Sequence, residues 1–221
     1  MSVLLHIDTA GELGSIAVSK DEQLLGEKTN TQQVDHATWI HTAIEQLLQE
    51  VNYSLPQLDA ISVTIGPGSY TGLRVGLSTA KGLCYALQKP LIAIPTLELM
   101  ASVVKCEPQE WIAPMIDARR MEVYTALYDA SLQVLQPAQA LLIDAESFAS
   151  ILQTQKIVFT GNGMEKFRKL CTAPTARFVE TQALASAMIP LALRRIIQKD
   201  FADVAYTEPL YVKAFYTVPK S

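Results

Sequence analysis

Gly66-Pro67-Gly68-Ser69-Tyr70-Thr71-Gly72-Leu73-Arg74-Val75-Gly76 is the stretch that decides the fold. An apolar, β-rich run at 60–65 leads into it, and a long, weakly polar stretch at 73–87 leaves it. That order predicts a strand, a tight glycine turn and a helix. Gly66 and Gly68 permit φ > 0 or the close approach of another backbone, and Pro67 fixes one φ between them. The Ser69 or Thr71 hydroxyl is placed to cap the helix by accepting from an orphan N–H. A glycine turn at a helix start is also a place where an anion can bind.

The helix itself is rich in small residues. Gly72, Gly76 and Gly82 each cost about 1 kcal/mol relative to alanine in a helix interior, so each needs a reason. Gly72, Gly76, Thr79 and Ala80 recur at helical spacing. The expectation is a small-residue stripe that admits a partner helix. Leu73, Leu77, Cys84 and Leu87 would then face the protein's own sheet. The alternative is a helix packed wholly inside the protein.

At 221 residues, the chain suits one large domain or two small ones. Its 49% hydrophobic content supplies a core, and its net charge of −4 argues against unaided nucleic-acid binding. Cys84, Cys106 and Cys171 are far apart, which fits a reducing compartment and neither a disulfide framework nor zinc spacing. The apolar run at the start is short and meets Asp8 at once, unlike a signal peptide. No run approaches the roughly 18 apolar residues of a membrane helix. The expected location is the cytoplasm.

Taken in order, 3–7 reads as a buried strand ending at Asp8-Thr9-Ala10, with two further strands at 15–19 and 23–28. A helix at 35–51 follows, with Asp35 as its N-cap and Ile40, Ala43, Ile44, Leu47 and Leu48 on one stripe. Trp39 lies off that stripe. After the glycine-turn unit come a strand at 91–94 and a helix at 96–104. The second half begins alike, with strands at 111–116, 122–128 and 132–135, a helix at 144–152, a strand at 156–160 and a helix at 183–198 in which Pro190 would make a kink. Ile7-Asp8 and Ile116-Asp117 both end a first strand and precede a hairpin, a weak internal duplication. The reading is an α/β chain of two lobes, 1–106 and 107–221.

Several chemistries can be weighed on these residues. Asp8 and Asp117 stand at duplicated strand ends, where a two-lobed ATPase holds phosphate and magnesium. Thr9, Gly66, Gly68, Ser69 and the Gly161-Asn162-Gly163 turn are the other nucleotide-proximal candidates, and the plain alternative is that all of these are ordinary turn residues. A dinucleotide reading of the first glycines fails on position, because that fingerprint follows the first strand of its unit. Neither the G-x-S-x-G elbow nor a Walker loop is present. His36 and His41 are five apart, on different helix sides, so no metal site is expected.

Ile7-Asp8-Thr9-Ala10, His36, the Gly66–Gly76 stretch, Ile94-Pro95-Thr96-Leu97, Ile116-Asp117-Ala118-Arg119, Glu122-Val123-Tyr124 and Glu208-Pro209-x-Tyr211, in that order, resemble the TsaB (YeaZ) family. The resemblance implies the actin/Hsp70/sugar-kinase (ASKHA) fold, with mixed sheets flanked by helices in two lobes. It implies an accessory, non-catalytic subunit. That subunit acts with its paralogue TsaD and the ATPase TsaE to transfer threonylcarbamoyl from its adenylate to N6 of the adenosine beside the tRNA anticodon. TsaD carries metal-ligand histidines on the helix after its Ile-Pro strand end, and Glu98 and Ser102 occupy those positions here. The resemblance further implies that the first two helices bind TsaD, or a second copy when TsaD is missing. The expected interface residues are His36, Trp39, Ile40, Ala43, Tyr70, Gly72, Leu73, Val75, Gly76 and Thr79. No intrinsic cofactor is expected, although ATP or ADP could sit at the shared interface, and tRNA would be met only through the complex. The rival reading is a stand-alone enzyme on the same fold, a glycoprotease-like peptidase or a small-molecule kinase.

Overall fold

The structure, a computed structural model, describes residues 1–30 and 35–213. The chain divides into two compact units. The first is Met1–Val103 with Gln182–Pro209, and the second is Val104–Thr181 with the described residues from Leu210 onward.

The first unit runs β1 (Val3–Asp8), β2 (Ser15–Lys20), β3 (Gln23–Thr29), α1 (His36–Glu50), β4 (Ala60–Gly66), α2 (Tyr70–Leu87), β5 (Leu91–Pro95) and α3 (Thr96–Ser102). The second runs β6 (Trp111–Asp117), β7 (Glu122–Tyr128), β8 (Val134–Leu142), α4 (Ala149–Leu152), β9 (Ile157–Thr160), α5 (Met164–Arg168) and β10 (Ala176–Phe178). The last helix, α6 (Met188–Gln198), belongs to the first unit. The sheets are ordered β3-β2-β1-β4-β5 and β10-β9-β6-β7-β8. Ranked within its own unit, each sheet therefore reads third, second, first, fourth, fifth. In each, the first three strands are antiparallel and the last two run parallel to the first. The duplication visible faintly at Asp8 and Asp117 is thus complete at the level of topology, and the fold is the two-lobed ASKHA arrangement expected.

Alternation along β1 sets the first core. Val3, Leu5 and Ile7 point to the face where Ile40, Ile44, Leu47, Leu77 and Ala80 of α1 and α2 pack. Asp35 caps α1 by accepting from the Ala37 N–H at 3.2 Å. The second core is built on Phe148, Phe159, Phe167 and Phe178, with neighbouring ring centroids 5.0–5.4 Å apart.

Four expectations need correction. The lobe boundary at 106/107 misses the return of Gln182–Pro209 to the first unit. That return is held by the Ala202 N–H on the Leu91 carbonyl at the β5 edge, by Ala185 N–H on Ser15 Oγ, and by Glu98 of α3. The buried Glu98 carboxylate accepts from Arg194 at 2.6 Å and Arg195 at 2.5 Å on α6. The helix expected at 144–152 shrinks to α4 because Asp144 folds its own turn, accepting from Glu146 N–H and Ser147 Oγ. Phe148 then takes a left-handed φ of 62° that puts its ring in the aromatic core. The strand expected at 132–135 extends through Leu142, pairing along β7. Pro190 falls in the first turn of α6 and not in its interior, as its third residue, where its missing N–H would have had no helical partner. α5 and β10 were too short to show a period.

On the opposite face of β1, His6 is fully buried. Its Nδ1 lies 2.7 Å from Ser62 Oγ on β4 and its Nε2 2.9 Å from Ser19 Oγ on β2, so one imidazole ties three adjacent strands. Burial pushes the His6 pKa down to about 3. The unfolded chain takes up this proton below about 6.5 and the folded chain does not. The contribution of a neutral His6 is therefore fully present above the unfolded value and is lost as pH falls toward about 3. An NMR titration of the folded chain should find the His6 ring neutral at pH 5, and a ring titrating near its ordinary value would contradict the assignment.

Candidate functional site

The glycine turn forms because β4 ends beside β1. Gly66 takes φ 117°, and its bond to Pro67 is cis. Ser69, the N-cap of α2, accepts from the Gly72 N–H at 3.2 Å while its own N–H donates to the Ala10 carbonyl at 2.7 Å. The Thr9 hydroxyl donates to the Gly72 carbonyl at 2.7 Å. The Ser69 N–H and the Gly72 carbonyl thus bind the turn to the Thr9-Ala10 segment at the end of β1. The cap comes from Ser69, and Thr71 is exposed.

The same contacts decide which way the small residues face. A Cβ at Gly72 would collide with the Thr9 carbonyl, and one at Gly76 with the Thr9 hydroxyl. Both glycines are buried, as is Thr79. The stripe expected to receive a partner helix is therefore the seam by which α2 packs on its own β1. The correction extends to the other buried residues of the expected interface set, while His36, Trp39 and Tyr70 keep accessible surface. Ile40, Ala43 and Leu73 are core residues, and Val75 is half-buried against that core. His36 bonds Asn30 Nδ2 and the Gly11 carbonyl, each at 3.2 Å, and closes with Trp39 over Gly14 in the β1–β2 turn. Tyr70 is exposed, with the Arg74 guanidinium 4.0 Å from its ring centroid.

α2 does present an outward face, which sequence reading missed. Thr71, Arg74, Ser78, Gly82, Tyr85 and Ala86 are exposed, with Tyr85 82% accessible. Gly82 is the informative residue. A Cβ built there meets nothing within 4 Å among the described residues, so none of them requires glycine at this position. Beside it lies a groove of about 450 Å³ whose floor is Ile44, Leu48 and Leu83 and whose rim includes His41, Glu45 and Gln49 of α1. A signal existed in the sequence: Ser78, Gly82 and Ala86 are a second small-residue row on the other side of α2.

The nucleotide candidates fall into two groups, one in each unit. In the first, buried Asp8 uses one oxygen, Oδ1, to accept from Thr64 Oγ1 at 2.8 Å and Ala10 N–H at 3.0 Å. Burial raises its pKa above the usual carboxylate range, against those two hydrogen bonds. Gly68 is flat against the Ala10 carbonyl. In the second unit, Asp117 accepts from Lys166 Nζ and from Arg119 N–H. The Lys166 bond holds its carboxyl below the usual range. Gly161 takes φ 91°, and a Cβ at Gly163 would press on the backbone of Ile116 and Asp117. Gly161 thus has a conformational reason and Gly163 a packing one. Among the described residues, no group of three or more His, Cys, Asp or Glu is placed to hold a metal ion, and no helix is long and apolar enough to cross a membrane.

Comparison with known proteins places this geometry. The family model described as TsaD, tRNA N6-adenosine threonylcarbamoyltransferase, matches residues 23–210. The tRNA threonylcarbamoyladenosine biosynthesis protein TsaB of Bacillus subtilis strain 168 is 34% identical over 57% of this chain and 54% of its own length. Its counterpart in Escherichia coli K12 is 26% identical over 95% of this chain and 94% of its own. The matched part thus spans about half of the Bacillus relative and nearly all of the Escherichia one. The solved YeaZ of Pseudomonas aeruginosa superposes with a TM-score of 0.79 at 25% identity, covering 96% of this chain and 100% of that one.

The two kinds of glycine in α2 can be told apart by one substitution each. Gly76→Ala should destabilise the lone chain by about 2 kcal/mol, as overpacking does. Gly82→Ala should stabilise it by up to about 1 kcal/mol through helix propensity. Urea unfolding of both variants checks this, and equal effects at the two positions would contradict the assignment of faces.

Proposed function

The chain belongs to the family of TsaD, the tRNA N6-adenosine threonylcarbamoyltransferases, in its TsaB (YeaZ) branch, and we propose that it is the accessory, non-catalytic subunit of a tRNA threonylcarbamoyladenosine-forming complex. Its partners on this reading are a TsaD paralogue, which performs the transfer, and the ATPase TsaE. The observation that carries the proposal is the outward face of α2. Gly82 costs helix stability that no contact with a described residue recovers, and it lies in a row with Ser78 and Ala86, next to Leu83 in the lining of an apolar groove. A close-packed partner helix accounts for all three features. The occupant is a helix of the catalytic partner, or of a second copy of this chain when that partner is missing.

The non-catalytic role is supported by what stands at the metal-ligand positions that the resemblance assigns to TsaD. Glu98 is engaged by Arg194 and Arg195, and Ser102 Oγ donates to the Leu99 carbonyl at 2.8 Å. Two guanidinium groups supply the positive charge that the Glu98 carboxylate needs, so this pair serves the attachment of α6 and not a reacting group. Asp8 and Asp117 are likewise held by groups of their own units. A nucleotide, ATP or ADP, would on this reading be shared at the partner interface. The setting is cytoplasmic, where the tRNA substrate is.

Reconstitution tests the proposal. TsaD and TsaE from the same source, with ATP, threonylcarbamoyl-adenylate and unmodified tRNA, should yield product only when this chain is added, and the chain alone should yield none. Gly82→Leu should lower the yield at least tenfold while the melting temperature of the lone chain stays at or above the wild-type value. Undiminished yield with Gly82→Leu would sink the interface, and product from the chain alone would sink the accessory role.

A further inference from the structure

The hairpin joining β6 to β7 turns through Arg119 and Arg120, both in the left-handed region at φ 67° and 43°. Successive positive φ values in a hairpin turn ordinarily fall to glycine or asparagine, because a Cβ is crowded there. Two arginines hold the strained positions here, and both are exposed. Backbone strain of this kind persists where the surrounding structure enforces it, and it gathers at functional sites. The enforcement is visible: Asp117 accepts from the Arg119 N–H at 2.6 Å, and the Ala118 N–H donates to the Glu122 carbonyl at 3.0 Å.

Charge bookkeeping around the turn is equally specific. The two carboxylates that flank the arginines are already paired, Asp117 with Lys166 and Glu122 with Lys213. Lys166 and Lys213 thus take the direct ion pairs of those two carboxylates; Arg119 acts on Asp117 only at longer range, and neither guanidinium holds an ion pair of its own. Every other arginine in the chain has a partner of its own. Arg74 lies over Tyr70, Arg168 pairs with Glu165, Arg177 with Glu110, and Arg194 and Arg195 with Glu98. Neither the Arg119 nor the Arg120 side chain makes a hydrogen bond or ion pair with a described residue.

We infer that the Arg119–Arg120 tip is a phosphodiester contact through which this chain itself touches the tRNA, an inference that rests on the proposed role in tRNA modification. Guanidinium forks match phosphate oxygens in bidentate geometry. A chain of net charge −4 repels RNA over most of its surface, so its contact has to be local and held in advance. Two free arginines on a braced turn meet that need. Phosphate contacts fix orientation without reading sequence, so the tip would position the tRNA and leave recognition of the target base to the catalytic partner.

The test is fluorescence anisotropy of a labelled, unmodified tRNA transcript, titrated with this chain paired to its TsaD homologue. The variant Arg119→Asn/Arg120→Gly supplies the residues a left-handed turn prefers. It should pair normally by size-exclusion chromatography and melt at or above the wild-type temperature, yet bind the tRNA at least tenfold more weakly at low salt. The slope of log K against log salt should become shallower by about 1 to 2, the loss of one or two phosphate contacts. Wild-type affinity and slope in this variant would overturn the inference. So would a polyglutamate peptide that binds the tip as tightly as the tRNA does, which would assign it to an acidic protein. If the two proteins fail to pair, that failure counts against the proposed partnership. The same titration on the chain alone then decides the tip by its salt slope.

Discussion

The first unit depends on how closely the start of α2 can approach the end of β1. The Thr9 and Ala10 carbonyls meet Gly72 and Gly68 backbone to backbone and the Thr9 hydroxyl meets Gly76, contacts that a single methyl group would block. The Thr9 hydroxyl and the Ser69 N–H then close hydrogen bonds across the seam. This contact fixes the rotation of α2 about its axis. With Gly72 and Gly76 turned inward, Leu73, Leu77 and Cys84 complete the buried arc, and Ser78, Gly82 and Tyr85 are necessarily outside. The inner seam therefore determines the face available to a partner.

Much of the fold could be read from local chemistry. The strand–glycine turn–helix unit, the caps at Asp35 and Ser69, and the amphipathic stripe of α1 all follow from rules that act within a few residues of each other. The paired acids at Asp8 and Asp117 were enough to suggest a duplication that the two sheet orders complete. The site was legible only in part, and for a definite reason. A glycine in a helix announces that something comes close, but not whether it is the protein's own strand or another molecule. Gly72, Gly76 and Gly82 look alike in sequence, and only the positions of Thr9 and Ile7 separate them. Long-range features escaped for a related reason. The return of α6 to the first unit depends on Glu98 meeting arginines 96 and 97 positions away, and the left-handed Phe148 depends on an aromatic core assembled from four separate segments.

The two units use the same topology for different electrostatics. In the first, the strand-end acid is buried, and loss of hydration raises its pKa. In the second, the equivalent acid is exposed and paired with Lys166, which lowers it. The hairpin beyond Asp117 departs from local preference at two successive residues, with arginines in positions that favour glycine. Glu98 shows the same economy in the first unit. At a position where the resemblance puts a metal ligand, a carboxylate and two guanidinium groups instead fasten a terminal helix.

The central claim is that the outer face of α2 is the partner-binding face, and photo-crosslinking addresses it most directly. A benzophenone amino acid placed at Tyr85 on α2, and at Ile197 on the exposed side of α6 as a comparison, would be illuminated in the presence of the TsaD homologue. Both positions are 82% accessible in the lone chain, so exposure alone cannot separate them. Crosslinking from position 85 and not from 197 is the predicted result. Crosslinking from 197 with none from 85 would contradict the account, and would move the partner to the far end of the first unit's C-terminal helix.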